Sequence, residues 1–180
     1  MGEAAKRVEV AMFPGGKRLA FTTSWDDGRV HDRRVVAALN EMGIKGTFNL
    51  NSGALDRDSD GNGHVRSREV ASLYAGHEVA IHTVTHPHLP KLDGSQIAAE
   101  VLEDRKRLEE LVGYPVRGMA YPFGTYDARV IEVLRGLGVA YCRTVENREG
   151  VWPAAEQSVR AQLEYLDATQ PSEDSGNTHR

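Results

Sequence analysis

The stretch HEVAIHTVTHPHLPKLDGSQIAAEVLEDRKRLEELVGYPVRGMAYPF, residues 77–123, decides the fold. Its opening, HEVAIHT, is a short apolar run closed by polar residues, the pattern of a buried strand. Ile97, Val101, Leu108, Leu111 and Val112 then recur at helical spacing, and Asp93 stands at the capping-box interval from Gln96, so a long amphipathic helix follows. GMAYPF is the next strand. Strand, long helix and strand together require a right-handed crossover between parallel strands.

The same alternation extends in both directions. Upstream, LAFTTSW (Leu19 to Trp25) reads as a strand, and Val35, Val36, Leu39 and Met42 keep helical spacing until Gly43 supplies a stop. GTFNLN (Gly46 to Asn51) is a second strand, followed by a polar loop from Ser52 to Arg66 and a short helix from Ser67 to Ala75 closed by Gly76. Downstream, Asp127 caps a helix carrying Val130, Ile131, Leu134 and Leu137, and VAYCRTV (Val139 to Val145) is the fifth strand. Val159, Leu163 and Leu166 suggest one last helix. Residues 1–167 therefore read as one domain, and ATQPSEDSGNTHR, residues 168–180, as a polar tail lacking the pattern of a core. The class is α/β, either an open doubly wound sheet or a barrel, and both place active sites at the carboxyl ends of the strands.

A chain of 180 residues can bury a substantial core. Its 22 Lys and Arg are interspersed with 26 Asp and Glu, and the net charge of -4 leaves no basic footprint for nucleic acid or anionic lipid. The single cysteine, Cys142, excludes an intramolecular disulfide and sits in an apolar run as a buried strand thiol would. No stretch is long and apolar enough to span a bilayer, and the first residues lack the apolar centre of a secretory signal. The chain is thus expected to be cytoplasmic as written, or extracellular where a signal has been removed.

Asp26 and Asp27 end the first strand, and His82 and His86 follow the third. Asp-Gly after an apolar run is also a turn signal, and histidines are often solvated surface residues. Meeting at one pole, the four residues instead suit a divalent-ion site: histidines four apart share the face of a helical turn, and three ligands leave a position open for water. One carboxylate is then left over as a base. His88, two positions on, points elsewhere on such a turn. HEVAIH imitates the HExxH protease signature with one residue too many between its histidines, which turns them about 140° apart on a helix. DRDSDGNG (Asp56 to Gly63) imitates a calcium loop but has Ser67 where the bidentate Glu belongs. In AYPFGTYD, Gly124 lets backbone approach a ligand, so an exposed amide there can donate to an oxyanion; a plain turn before the helix capped by Asp127 is the alternative. Trp152 reads as a packing residue.

TSWDDG (Thr23 to Gly28), HTVTH (His82 to His86) and AYPFG (Ala120 to Gly124) resemble the three leading motifs of the polysaccharide deacetylase family, carbohydrate esterase family 4 or the NodB homology domain. KGTFNLNSG and GVAYCRTV are also similar to family segments, so the resemblance runs from Leu19 to Val145. It implies a distorted (β/α)7 barrel and a metal-dependent hydrolase removing N-acetyl groups from a carbohydrate. It further implies that Asp27, His82 and His86 hold zinc, cobalt or another divalent ion, that Asp26 is the general base, and that the Phe123 backbone amide helps hold the oxyanion.

Three departures accompany the resemblance. Ala120 stands where many members carry an arginine that pairs with the base, so the base must be positioned otherwise. No late Leu-x-His motif, the family's source of a general acid, follows Trp152; the only later histidine is His179. About five strands are visible, leaving the barrel incomplete on its C-terminal side. A related C–N hydrolase acting on a small cyclic amide, and a catalytically weakened member that binds metal and glycan, are the alternative readings.

Overall fold

The computed structural model describes residues 21–57 and 63–146. Five strands, β1 (Thr23–Asp26), β2 (Gly46–Leu50), β3 (Glu78–Ile81), β4 (Gly118–Ala120) and β5 (Tyr141–Arg143), form one sheet in the order of the chain, every neighbouring pair parallel. Helices α1 (Asp32–Glu41), α2 (Val70–Leu73), α3 (Gly94–Val112) and α4 (Ala128–Gly136) fill the four crossovers. The sheet is a curled half-barrel. Although β1 and β5 are its opposite edges, Arg143 Nε on β5 donates to Ser24 Oγ on β1 at 3.1 Å.

Burial follows the sequence pattern. The middle strands are fully packed, with Phe48, Leu50, Ile81 and Met119 at 0% exposure, so they carry apolar runs rather than alternation. Val36 and Leu39 of α1, Ile97, Val101 and Leu108 of α3, and Val130, Ile131 and Leu134 of α4 complete the core. Both predicted caps form: Asp93 accepts from the Gln96 N–H while Gln96 accepts from that of Asp93, and Asp127 accepts from the Val130 N–H at 2.7 Å. Each such cap is worth about 1 kcal/mol. Cys142 is buried on β5, and burial pushes its thiol up to about 12, so it is an inert core group.

The strands are shorter than the apolar runs suggest. β1 extends to Asp26 because it pairs residue for residue with β2, from Thr23 opposite Gly46 to Asp26 opposite Asn49. β3 stops at Ile81 because the groups of the next rung go elsewhere: the His82 carbonyl accepts from Asn51 Nδ2 and the Ser52 N–H donates to Asp104 Oδ1. β4 stops at Ala120 because Pro122 has no N–H for a ladder and starts a 3-10 turn over Pro122–Gly124. The helix suggested around Val159, Trp152, and the boundary at 167 lie outside the described residues. Among the described residues, no helix is long and apolar enough to cross a membrane.

One buried acid lies behind the first loop. Asp32, 5% exposed, accepts from the Tyr74 hydroxyl at 2.7 Å, and burial pushes its carboxyl up to about 6. A folded-state value above the unfolded one means that Asp32 contributes stability below about pH 4 and loses that contribution as pH rises through about 6. In thermal melts, Asp32→Asn is therefore expected to gain on the parent as pH rises from 4 to 6.5, because the amide still accepts from Tyr74 without being charged.

Candidate metal centre

The carboxyl ends of the strands form the rim on which the site is built. β1 ends at Asp26, and Asp27 and Gly28 follow with φ of 75° and 65°, two left-handed residues that reverse the chain at once. Aspartate tolerates that region, and glycine is required next because a Cβ on Gly28 would lie 3.0 Å from Leu50 Cδ2. The turn read in TSWDDG is present, and it leaves both carboxylates on the rim. The reversal sends two consecutive carboxylates to different partners.

His82 and His86 do not share a helical turn. They flank an irregular loop in which Thr83 and His86 have φ of 68° and 58°, and the His86 N–H donates to Thr83 Oγ1 at 3.1 Å. Asn51, at the end of β2, straps this loop by donating to the carbonyls of His82 and Thr83. The His82 ring is 1% exposed and its Nδ1 lies 2.8 Å from the Ala120 carbonyl, which can only accept. Nδ1 therefore carries the proton and Nε2 is bare, the tautomer of a metal-ligating histidine. Burial also pushes its pKa below the usual histidine range, keeping the ring neutral.

Three donor atoms converge. His82 Nε2 and His86 Nε2 are 3.1 Å apart, and each lies 3.7 Å from Asp27 Oδ1. Ligands about 2.0–2.1 Å from a tetrahedral zinc are separated by edges of about 3.3–3.4 Å. The three separations bracket that edge, and the donor set is one nitrogen pair and one carboxylate oxygen, so these residues fit a divalent ion. Asp27 Oδ2 faces Arg29 Nε at 3.6 Å.

Asp26 stands outside this triad. Asn49 Nδ2 donates to its Oδ1 at 2.9 Å and the Arg143 guanidinium to its Oδ2. Arg143 also donates to Ser24 Oγ and the Thr144 carbonyl, so the base candidate on one edge strand is gripped from the other. Phe123 has a φ of 58°, rare for a bulky residue, and its ring lies 4.3 Å from that of His86 and stacks on His88 at 4.0 Å. His88 bonds Thr125 rather than joining the ligands. The DRDSDGNG loop falls partly outside the described residues.

Arg143, Asn49 and Asn51 were not distinguished by sequence reasoning. The two asparagines carried a signal, being polar residues two apart within an apolar strand. Arg143 carried none, because its importance depends on the curl that brings β5 to β1.

The Asp27, His82 and His86 cluster lies on the carboxyl rim of a parallel α/β half-barrel, the rim on which such folds carry their active sites. Residues 14–142 match the polysaccharide deacetylase family, and the chain belongs to that family. It is 24% identical over 122 residues to the uncharacterized protein YlxY of Bacillus subtilis (strain 168), a match covering 67% of this chain and 35% of that one. The fold is similar to that of the deacetylase PplD of Streptococcus pyogenes, solved in complex with acetate, with a TM-score of 0.65, 19% identity and coverage of 82% and 69%. It is also similar to BA3943 of Bacillus anthracis, a CE4 family pseudoenzyme, with a TM-score of 0.56, 20% identity and coverage of 66% and 41%. The chain thus spans about a third of the curated relative.

Zinc at a hundred times its Kd is expected to stabilise the fold by about 2.7 kcal/mol in thermal melts, and chelation to remove the gain. His82→Ala should abolish the response.

Proposed function

We propose that the chain is a metal-dependent hydrolase that removes the acetyl group from an N-acetylated carbohydrate. The observation that carries this reading is the spacing of Asp27 Oδ1, His82 Nε2 and His86 Nε2 beside a second carboxylate, Asp26, that is not part of the cluster. When bound there, a divalent ion, zinc or a similar metal, supplies Lewis acidity that lowers the pKa of a water and draws charge from an acyl oxygen.

The chain's own residues do the rest. Asp26 receives the proton of the water that attacks the acetyl carbon and passes it to the amide nitrogen as the C–N bond breaks, which frees acetate and the sugar amine. Asn49 and Arg143 each occupy one of its oxygens, which fixes the plane of the carboxylate and leaves a further lone pair on each oxygen for that proton. His82 is kept neutral and oriented by the Ala120 carbonyl, so its Nε2 stays available as a ligand at neutral pH. The backbone N–H of Phe123 donates to the acyl oxygen as negative charge grows on it. Two adjacent carboxylates divide ligand and base between them because the left-handed turn at Asp27 separates their directions.

A second reading is a member that binds metal and glycan without turnover, favoured by the existence of a pseudoenzyme with this fold. Acetate release from N-acetylated glycans and ring opening of small cyclic amides, assayed side by side after zinc or cobalt is restored to chelated protein, separate the readings. Asp26→Asn is expected to keep zinc binding and lose on the order of 10²–10⁴-fold in turnover. Arg143→Ala should lose on the order of 10²-fold through misplacement of Asp26, mostly in kcat. A metal-loaded parent that releases no acetate from any glycan would leave the binding reading in possession.

A further inference from the structure

Helix α3 presents two carboxylates to the histidine loop from positions 100 and 104, one helical turn apart. Glu100 grips Thr85 with both oxygens: Oε2 accepts from the backbone N–H at 2.9 Å and Oε1 from the hydroxyl at 2.6 Å. Asp104 is 0% exposed; its Oδ1 accepts from the Ser52 N–H at 2.7 Å and its Oδ2 from the His82 N–H at 3.0 Å. Thr83 lies between these anchors and His86 directly after the second, both with positive φ and neither a glycine. A non-glycine residue in this region is strained and persists only where its surroundings over-determine it.

We propose that Glu100 and Asp104 are positioning residues that hold the loop in its ligand-presenting form and thereby set the affinity of the Asp27, His82 and His86 centre for a divalent ion. The proposal rests on the metal reading of that centre. Neither carboxylate is one of its three donors; they act on the backbone that carries the histidines. His82 has a further tether in the Ala120 carbonyl, whereas His86 hangs from the strained end of the loop, so the Glu100 clamp governs chiefly where His86 points. Without the clamp, part of the binding free energy of the ion is spent on ordering the loop, and affinity falls while the core stays packed.

The test is calorimetric titration of zinc chloride into the full chain, with thermal melts of the metal-free proteins. Glu100→Ala is expected to bind zinc 10–100-fold more weakly than the parent, with its metal-free Tm within about 4 °C. Glu100→Gln keeps an acceptor for the Thr85 N–H and a partner for its hydroxyl and should restore most of the affinity. Thr85→Ala, which removes only the hydroxyl bond, should fall between and decides the matter if Glu100→Ala does not fold. Zinc bound by Glu100→Ala and Thr85→Ala as tightly as by the parent overturns the proposal and leaves the metal reading standing. A parent that binds no zinc overturns both.

Discussion

Parallel pairing brings the carboxyl ends of all five strands to one rim, and the backbone groups released where the ladders stop must find partners there or be buried without them. That requirement organises the site. Asn49 reaches the Trp25 carbonyl and Asp26, Asn51 takes the carbonyls of His82 and Thr83, and Asp104 takes the N–H groups of Ser52 and His82. Each polar residue that ends a strand's hydrogen bonding also orients a residue of the candidate centre. Stability and chemistry draw on the same bonds, since leaving one of these buried groups unpaired costs about 1–3 kcal/mol.

The crossover units were legible because helical and strand periods are written directly into side-chain order: the α3 face, its capping box at Asp93 and the Asp127 cap all appear as read. The ends of the strands were not. HEVAIHT reads as a strand through Thr83, whereas the stop at Ile81 depends on Asp104, 52 positions from the Ser52 N–H that it takes. The convergence of Asp27, His82 and His86 followed from topology, but its cause did not. Four-residue spacing suggested a helical turn, whereas a left-handed Thr83 and His86 bring the two rings together in an irregular loop. Positive φ at Thr or His has no sequence signature, unlike the glycine of Asp27-Gly28.

Ala120 illustrates the same limit from the other side. The family resemblance left the base without its expected arginine, and nothing in the sequence indicated a replacement. Ala120 and Arg143 are cross-strand partners on β4 and β5, so the structure offers a guanidinium from the neighbouring strand at the same level of the rim. The backbone carbonyl of Ala120 serves His82 instead, accepting from its Nδ1.

The bridge from Arg143 to Ser24 and Asp26 has a consequence for the half-barrel itself. An open sheet has two unpaired edges, and among the described residues the Arg143 side chain, rather than a ladder, bridges β1 and β5. A hydrogen-bonded ladder would fix the spacing of β1 and β5 along their lengths; a single guanidinium fixes it only at the rim. The seam is therefore tied at the level where Asp26 needs a defined position. Geometry at the site is maintained by polar contacts that cross the opening, while the packed strands β2, β3 and β4 hold the opposite wall. A charge-assisted contact of this kind is stronger than a neutral hydrogen bond and has directional demands that an apolar contact lacks. The same residue thus ties the two edges at the rim and places the carboxylate beside the cluster of Asp27, His82 and His86.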